Sequence, residues 1–189
     1  AAQRRPERRG MGTTLTAALL QGGQVCIAQV GDSRAYLLRD RQVTQLTKDQ
    51  SLVQHLLDAG ALNAEEAERF PQRNVILQAL GREPTVRVEV SNFALRRGDH
   101  LLLCSDGLSN KLNGLDIRFA VEHTATLEDA CRLLIEWANA RGGEDNITVI
   151  LAKLTGSDLP EPTEEDVRIE AINFSEIHDT ADQDTAEIV

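Results

Sequence analysis

With 189 residues, 41% of them hydrophobic and 26% charged, the chain suffices for one ordinary core plus a modest appendage, and its longest apolar runs, Leu101 to Cys104 and Ile147 to Ala152, are far too short to cross a bilayer. The formal charge of −10 resides wholly in residues 155–189, where eleven acids face Arg168 alone, so residues 1–154 are neutral. A phosphate polymer is repelled by such a tail and not drawn by a neutral body, which excludes nucleic acid as the expected partner. Cys26, Cys104 and Cys131 are odd in number, lack CxxC spacing and lie in apolar runs, so they read as reduced core residues of a cytoplasmic protein. Residues 1–10, with Arg4, Arg5, Arg8 and Arg9 and no apolar segment, read as a solvated basic linker remnant rather than a signal peptide, cut from something longer.

Along the chain, Gly12 to Leu20 and Gln24 to Val30 have strand composition, and Gly22-Gly23 between them suits a tight hairpin. Turns at Gly31-Asp32-Ser33-Arg34 and Asp40-Arg41 lead into further strands at Ala35 to Arg39 and Gln42 to Leu46. At Ser51 the period becomes helical, with Leu52, Val53, Leu56 and Leu57 on one face and Gly60 at the end; a second short helix, Ala64 to Arg69, starts at Asn63 with Glu66 in capping-box position. Val75 to Leu80 and Thr85 to Asn92 return to strand composition, and His100 to Cys104 reads as a strand buried on both faces. A long helix begins at Thr126, buries Leu127, Ala130, Cys131, Leu134 and Ala138, and stops at Gly142-Gly143; Asn146 to Leu154 is a last strand. The acidic segment 155–189 cannot bury enough apolar surface to offset its ordering entropy and is expected to be disordered. Strands followed by a long helix and a closing strand indicate an α+β domain.

Two acids occupy strand ends. Asp106 follows the strand Leu101 to Cys104, and Asp145 precedes the strand from Ile147. If those strands are antiparallel neighbours, both carboxylates reach one rim, where their repulsion calls for a bound proton or a cation; paired oxygen donors favour a hard ion such as Mg²⁺ or Mn²⁺. Taken singly, Asp-Gly and Asp-Asn are also ordinary turn chemistry.

Met11-Gly12-Thr13-Thr14, Gly31-Asp32-Ser33-Arg34, Leu46 to Ser51, Arg73 to Ile76 with Leu80-Gly81, Leu103 to Leu108 and Gly143 to Val149 occur in order, and together the stretch 11–154 resembles the later motifs of metal-dependent serine/threonine protein phosphatases of the 2C type, particularly bacterial ones. The resemblance implies a central β-sandwich of antiparallel sheets flanked by helices, incomplete on its N-terminal side, with the helices at about 51–70 matching a flap beside the active site. It implies Asp106 and Asp145 as ligands of a pair of Mn²⁺ or Mg²⁺ ions, with Asn146 orienting its neighbour. It also implies hydrolysis of phosphoserine or phosphothreonine on a phosphorylated protein substrate by a metal-activated water, in a protein that is monomeric when complete. The chain departs from that family by lacking its opening acidic motif, its Asp-Gly-x-Gly-Gly motif and its early phosphate-holding Arg, by Asn110 where an acid is common, and by Phe70 where many members have His. With half the metal shell missing, the isolated chain is expected to be weakly active, with uncovered sheet edges and apolar surface that promote self-association. The rival reading is a non-catalytic scaffold whose acidic tail recruits a basic partner.

Other residues carry less. Ser33 lacks the Gly-x-Ser-x-Gly elbow of a serine hydrolase and reads as a turn residue. His55, His100, His123 and His178 show no ligand spacing, and Trp137 reads as packing on the long helix.

Overall fold

The computed structural model describes residues 10–161 and 170–171. Strands β1 (Leu15–Gln21), β2 (Gln24–Val30), β3 (Arg34–Arg39) and β4 (Gln42–Gln45) are followed by helices α1 (Leu52–Asp58) and α2 (Ala64–Glu68). Strands β5 (Glu89–Ala94) and β6 (His100–Cys104) lead to α3 (Asp106–Ser109), α4 (Gly114–His123), α5 (Leu127–Ala140), β7 (Val149–Lys153) and a two-residue β8 (Glu170–Ala171). They form two antiparallel four-stranded sheets, β1-β2-β5-β8 and β4-β3-β6-β7, so the expected α+β sandwich is found.

Two apolar layers hold the fold together. Between the sheets lie Val25, Ile27, Leu37, Phe93 and Leu101; on the other side of the second sheet, Tyr36, Leu38 and Leu102 meet Leu108, Ile117, Ala120, Leu134 and Ala138 from the helices. The second sheet is thus covered on both faces, which is why β6 reads as an unbroken apolar run. The outward residues of β1 have no such cover, and Leu15 and Leu19 remain 49% and 65% exposed.

The helix ends follow their capping residues. The Ser51 hydroxyl accepts from the Gln54 amide, the Asn63 and Asn113 carbonyl oxygens each close a capping box with Glu66 and Asp116, and the Thr126 hydroxyl accepts from the Asp129 amide. Several elements differ from expectation. Val75 to Leu80 forms isolated bridges, Ser51↔Ile76 and Thr13↔Leu80, instead of a strand, because its amides serve the ends of neighbouring loops. The strand expected at Thr85 to Asn92 starts at Glu89, where pairing with β2 begins, and leaves Val88 43% exposed. The strand expected from Asn146 starts at Val149, since Ser105 engages the Asn146 carbonyl and the Thr148 backbone ahead of it. Helices α3 and α4 add to the expected set. Cys104 is buried, but Cys26 and Cys131 are only half-buried, and all three thiols are free.

The segment expected to lack structure from residue 155 is ordered over 155–161. There the Arg97 guanidinium donates to the Ser157 carbonyl at 2.9 Å and pairs with Glu161 at 2.5 Å, while Leu159 packs beside the inter-sheet core. Glu170–Ala171 then pairs with β5, and the rest of that acidic segment, like the basic stretch before Gly10, lies outside the described residues.

Candidate metal centre

Strands β6 and β7 are antiparallel neighbours in the register Cys104↔Val149, so Asp106, just beyond the end of β6, and Asp145, just before β7, reach the same rim. Contact between the two loops is close: a Cβ on Gly107 would lie 2.5 Å from the Asn146 carbonyl oxygen, so only glycine lets α3 rest on that backbone. The Ser105 hydroxyl donates to that same carbonyl at 2.9 Å and accepts from the Thr148 amide at 3.0 Å. The Asn146 amide donates to Asp145 Oδ1 at 2.7 Å, so Asn146 steadies its neighbour through the main chain.

A third carboxylate reaches the rim that spacing alone did not select. Carrying the β3–β6 register two residues past Arg34↔Cys104 sets Asp32 opposite Asp106. Burial and the charges of Asp106 and Asp49 push the Asp32 carboxyl up to about 6, against the pull of its own backbone amide and Arg34. Asp106 is likewise raised, by burial first and then by Asp145. The detectable signal was the turn itself: an acid between two strands, the second of which pairs with β6.

The loop carrying Asp32 is built from three of the sequence motifs. Thr14 Oγ1 and Ser33 Oγ lie 2.8 Å apart, Thr16 Oγ1 donates to the Ser33 carbonyl at 2.8 Å, and the Gly31 amide donates to Gln50 Oε1 at 2.8 Å. Ser33 is therefore a structural tie. Arg34 forms a two-pronged pair with Asp49, Nε to Oδ1 at 2.9 Å and Nη2 to Oδ2 at 2.7 Å, and also reaches the Tyr36 hydroxyl. Burial lowers the Arg34 pKa, but the Asp49 carboxylate more than compensates and the guanidinium stays charged.

Across the rim, the hydrogen bond from Lys111 holds the Glu144 carboxyl below the usual carboxylate range, helped by its own backbone amide and by the charges of Lys111 and Arg73. Among the described residues, the rim thus carries three acids with no ion pair to a basic side chain, Asp32, Asp106 and Asp145, beside two paired ones, Asp49 and Glu144. Among the described residues no group of three or more His, Cys, Asp and Glu side chains lies close enough to hold a metal on its own. His55, His100 and His123 lie on α1, at the start of β6 and at the end of α4.

The raised Asp32 carboxyl has a thermodynamic consequence. A group that binds its proton more tightly when folded favours folding fully below its unfolded value of 3.8, and that contribution is lost as pH rises through about 6. In chelator, the midpoint of thermal unfolding of the unaltered chain is expected to gain on Asp32→Asn as pH falls from about 7 to about 5. Melts of both proteins across that range check this; parallel curves would show that Asp32 does not titrate there.

Residues 1–152 match the protein phosphatase 2C family. The chain is 45% identical over 144 residues to the serine/threonine phosphatase stp of Listeria monocytogenes serotype 4b, an alignment that covers 76% of this chain and 57% of the relative. It is 44% identical over 150 residues to protein phosphatase PhpP of Streptococcus pneumoniae, with 79% and 61% covered. The crystal structure of the Mycobacterium tuberculosis serine/threonine phosphatase PstP/Ppp superposes with a TM-score of 0.77 at 42% identity, over 82% of this chain and 65% of that one. The chain therefore spans about three fifths of the length of these two curated relatives. Matching the family over most of its length and superposing on a solved member, this chain belongs to the protein phosphatase 2C family.

Proposed function

We propose that the chain is the C-terminal part of the catalytic domain of a phosphatase that hydrolyses phosphoserine and phosphothreonine on proteins, and that Asp106 and Asp145 hold its divalent ions. The observation that carries this reading is the convergence, from the end of one strand and the start of its neighbour, of two carboxylates that have no ion-pair partner among the described residues, which is the donor set a hard cation takes. A structure of the catalytic domain of PstP in complex with two manganese ions, similar at 41% identity and a TM-score of 0.72, supports it.

The residues present fit such ions as part of a shell: Asp106 and Asp145 offer hard oxygen donors, and among the described residues no third His, Cys, Asp or Glu side chain completes a cluster with them. A bound pair of Mn²⁺ or Mg²⁺ ions supplies charge neutralisation on the phosphoryl oxygens and an acidified water. The protein's part is placement. Asp106 enters from α3, fixed by the close approach that Gly107 permits, and Asp145 enters from the opposite loop, fixed by the Asn146 amide. Asp32 adds negative charge facing Asp106. Arg34 is fully engaged by Asp49 and Tyr36 and supports the loop instead of contacting substrate. The helix pair α1–α2 would act as the flap beside the site. The three free thiols support a reducing, cytoplasmic setting, and none of the helices among the described residues is long and apolar enough to cross a membrane. The complete protein is proposed to act as a monomer.

Calorimetric titration of the purified chain with Mn²⁺ tests this. Binding is expected, and Asp106→Asn should weaken it by about tenfold or more, since a carboxylate ligand is replaced by a neutral amide. Hydrolysis of a chromogenic phosphate ester should be slow, Mn²⁺-dependent and lost in Asp145→Ala. No heat on titration of the unaltered chain would favour the scaffold reading.

A further inference from the structure

Asp145 is gripped unequally on its two sides. On its C-terminal side, Asn146 to Thr148 are tied to Ser105 and packed on Gly107. On its N-terminal side the chain comes from the end of α5 through Gly142 and Gly143, both at positive φ, 127° and 55°. Two successive glycines there leave the turn free to adopt many conformations unless something pins it.

The pin is Lys111, in the loop between α3 and α4. Its ammonium pairs with Glu144, the residue before Asp145, and its side chain is 17% exposed where that of Glu144 is 70% exposed. The partner that is held in place by the body is therefore the lysine. Its loop is itself fixed: the Lys111 carbonyl accepts from Arg141 Nη1 at 2.8 Å, and that guanidinium grips both oxygens of Asp116 at 2.7 and 2.8 Å. The Glu144 carboxylate folds back over the turn so tightly that a Cβ on Gly142 would meet its Oε1 at 2.6 Å. Arg141 thereby joins the start of α4, the end of α5 and the loop of Lys111, and the Lys111 side chain ties the turn to that assembly.

We infer that Lys111 is a positioning residue for the metal centre: by holding Glu144 it sets the turn that aims Asp145 at Asp106. This rests on the metal-binding role proposed above for those two acids. Charge and position make opposite demands here, which allows a clean separation. A cation beside a cation site repels the incoming ion, so neutralising Lys111 should tighten Mn²⁺ binding if only charge matters. If Lys111 acts by position, neutralising it should loosen binding, as loss of outer supporting contacts does at other metal sites.

The experiment is calorimetric titration of the chain with Mn²⁺, with circular dichroism to verify folding at the titration temperature. Lys111→Met keeps the aliphatic stem and is expected to weaken Mn²⁺ by about tenfold. Lys111→Arg, which retains a cation on a long stem, should restore most of that loss. Glu144→Asp preserves the charge at an exposed residue while shortening its reach; it should also weaken binding, and it serves if Lys111→Met does not fold. Unchanged or tighter Mn²⁺ binding in Lys111→Met, or unchanged binding in Glu144→Asp, overturns the inference while Asp106→Asn still lowers affinity. If the unaltered chain takes up no Mn²⁺ at all, the metal reading fails and Lys111 has nothing to position.

Discussion

Replacing Gly31 by alanine is expected to destabilise the chain by about 2 to 5 kcal/mol. The residue has φ +104°, and a Cβ there would lie 2.4 Å from Thr14 Cγ2 and 2.8 Å from Thr14 Cβ. About 1 to 2 kcal/mol comes from forcing an L-residue into that conformation, and about 1 to 3 kcal/mol from the overlap. For a body of this size the melting temperature should fall by roughly 10 °C, which a thermal melt measures directly. The double variant Thr14→Ser with Gly31→Ala removes the nearest methyl and should recover part of the overlap cost but none of the conformational one. The loop moved by this strain carries Asp32, so Mn²⁺ binding should weaken along with stability.

Asp99→Ala is expected to cost about 3 to 5 kcal/mol for a different reason. Asp99 and Arg39 form a two-pronged pair, with Nε to Oδ1 at 2.9 Å and Nη2 to Oδ2 at 2.6 Å, and their side chains are 1% and 7% exposed. Arg39 Nη2 also donates to the Ala94 carbonyl, and the Arg96 amide donates to Asp99 Oδ2, so the cluster ties the two sheets together. Removing the acid strands a guanidinium in the interior. Urea unfolding gives the loss, and replacing both partners by apolar residues should return much of it. Asp99 and Asp106 flank opposite ends of β6, separated by about 17 Å of strand, so Mn²⁺ affinity should stay as it was in the folded variant. A parallel loss of affinity would mean that the two ends of the sandwich are coupled.

What could be read from the chain depended on the range of the interaction. Caps at Ser51, Asn63 and Thr126 were legible because each bond closes within three residues. The meander from β1 to β4 was legible because its turns carry Gly or Asp where a positive φ or a side-chain bond is needed. Helix α4 is harder to see: Asn113 with Asp116 and the spacing of Ile117 and Ala120 signal it, but its outer face carries Leu115 and Phe119, 66% and 49% exposed, which blurs the apolar stripe. Val75 to Leu80 has strand composition, but composition does not reveal whether a partner edge exists.

The candidate site divides the same way. Asp106 and Asp145 were found because strand ends that pair must share a rim, an inference that needs only one assumed neighbour. Asp32 is not legible in the same way, because its place opposite Asp106 depends on the register of a second strand pair. Lys111 and Glu144 are 33 positions apart, and nothing local marks them as partners.

The two ends of β6 also differ electrically. At its start the acid is cancelled by a guanidinium, whereas beyond its finish three acids have no such partner among the described residues. The sandwich is therefore polarised along this strand, and its outward field draws small cations toward one end before any contact is made. Such steering raises the encounter rate and fades as added salt shortens the distance over which the field is felt.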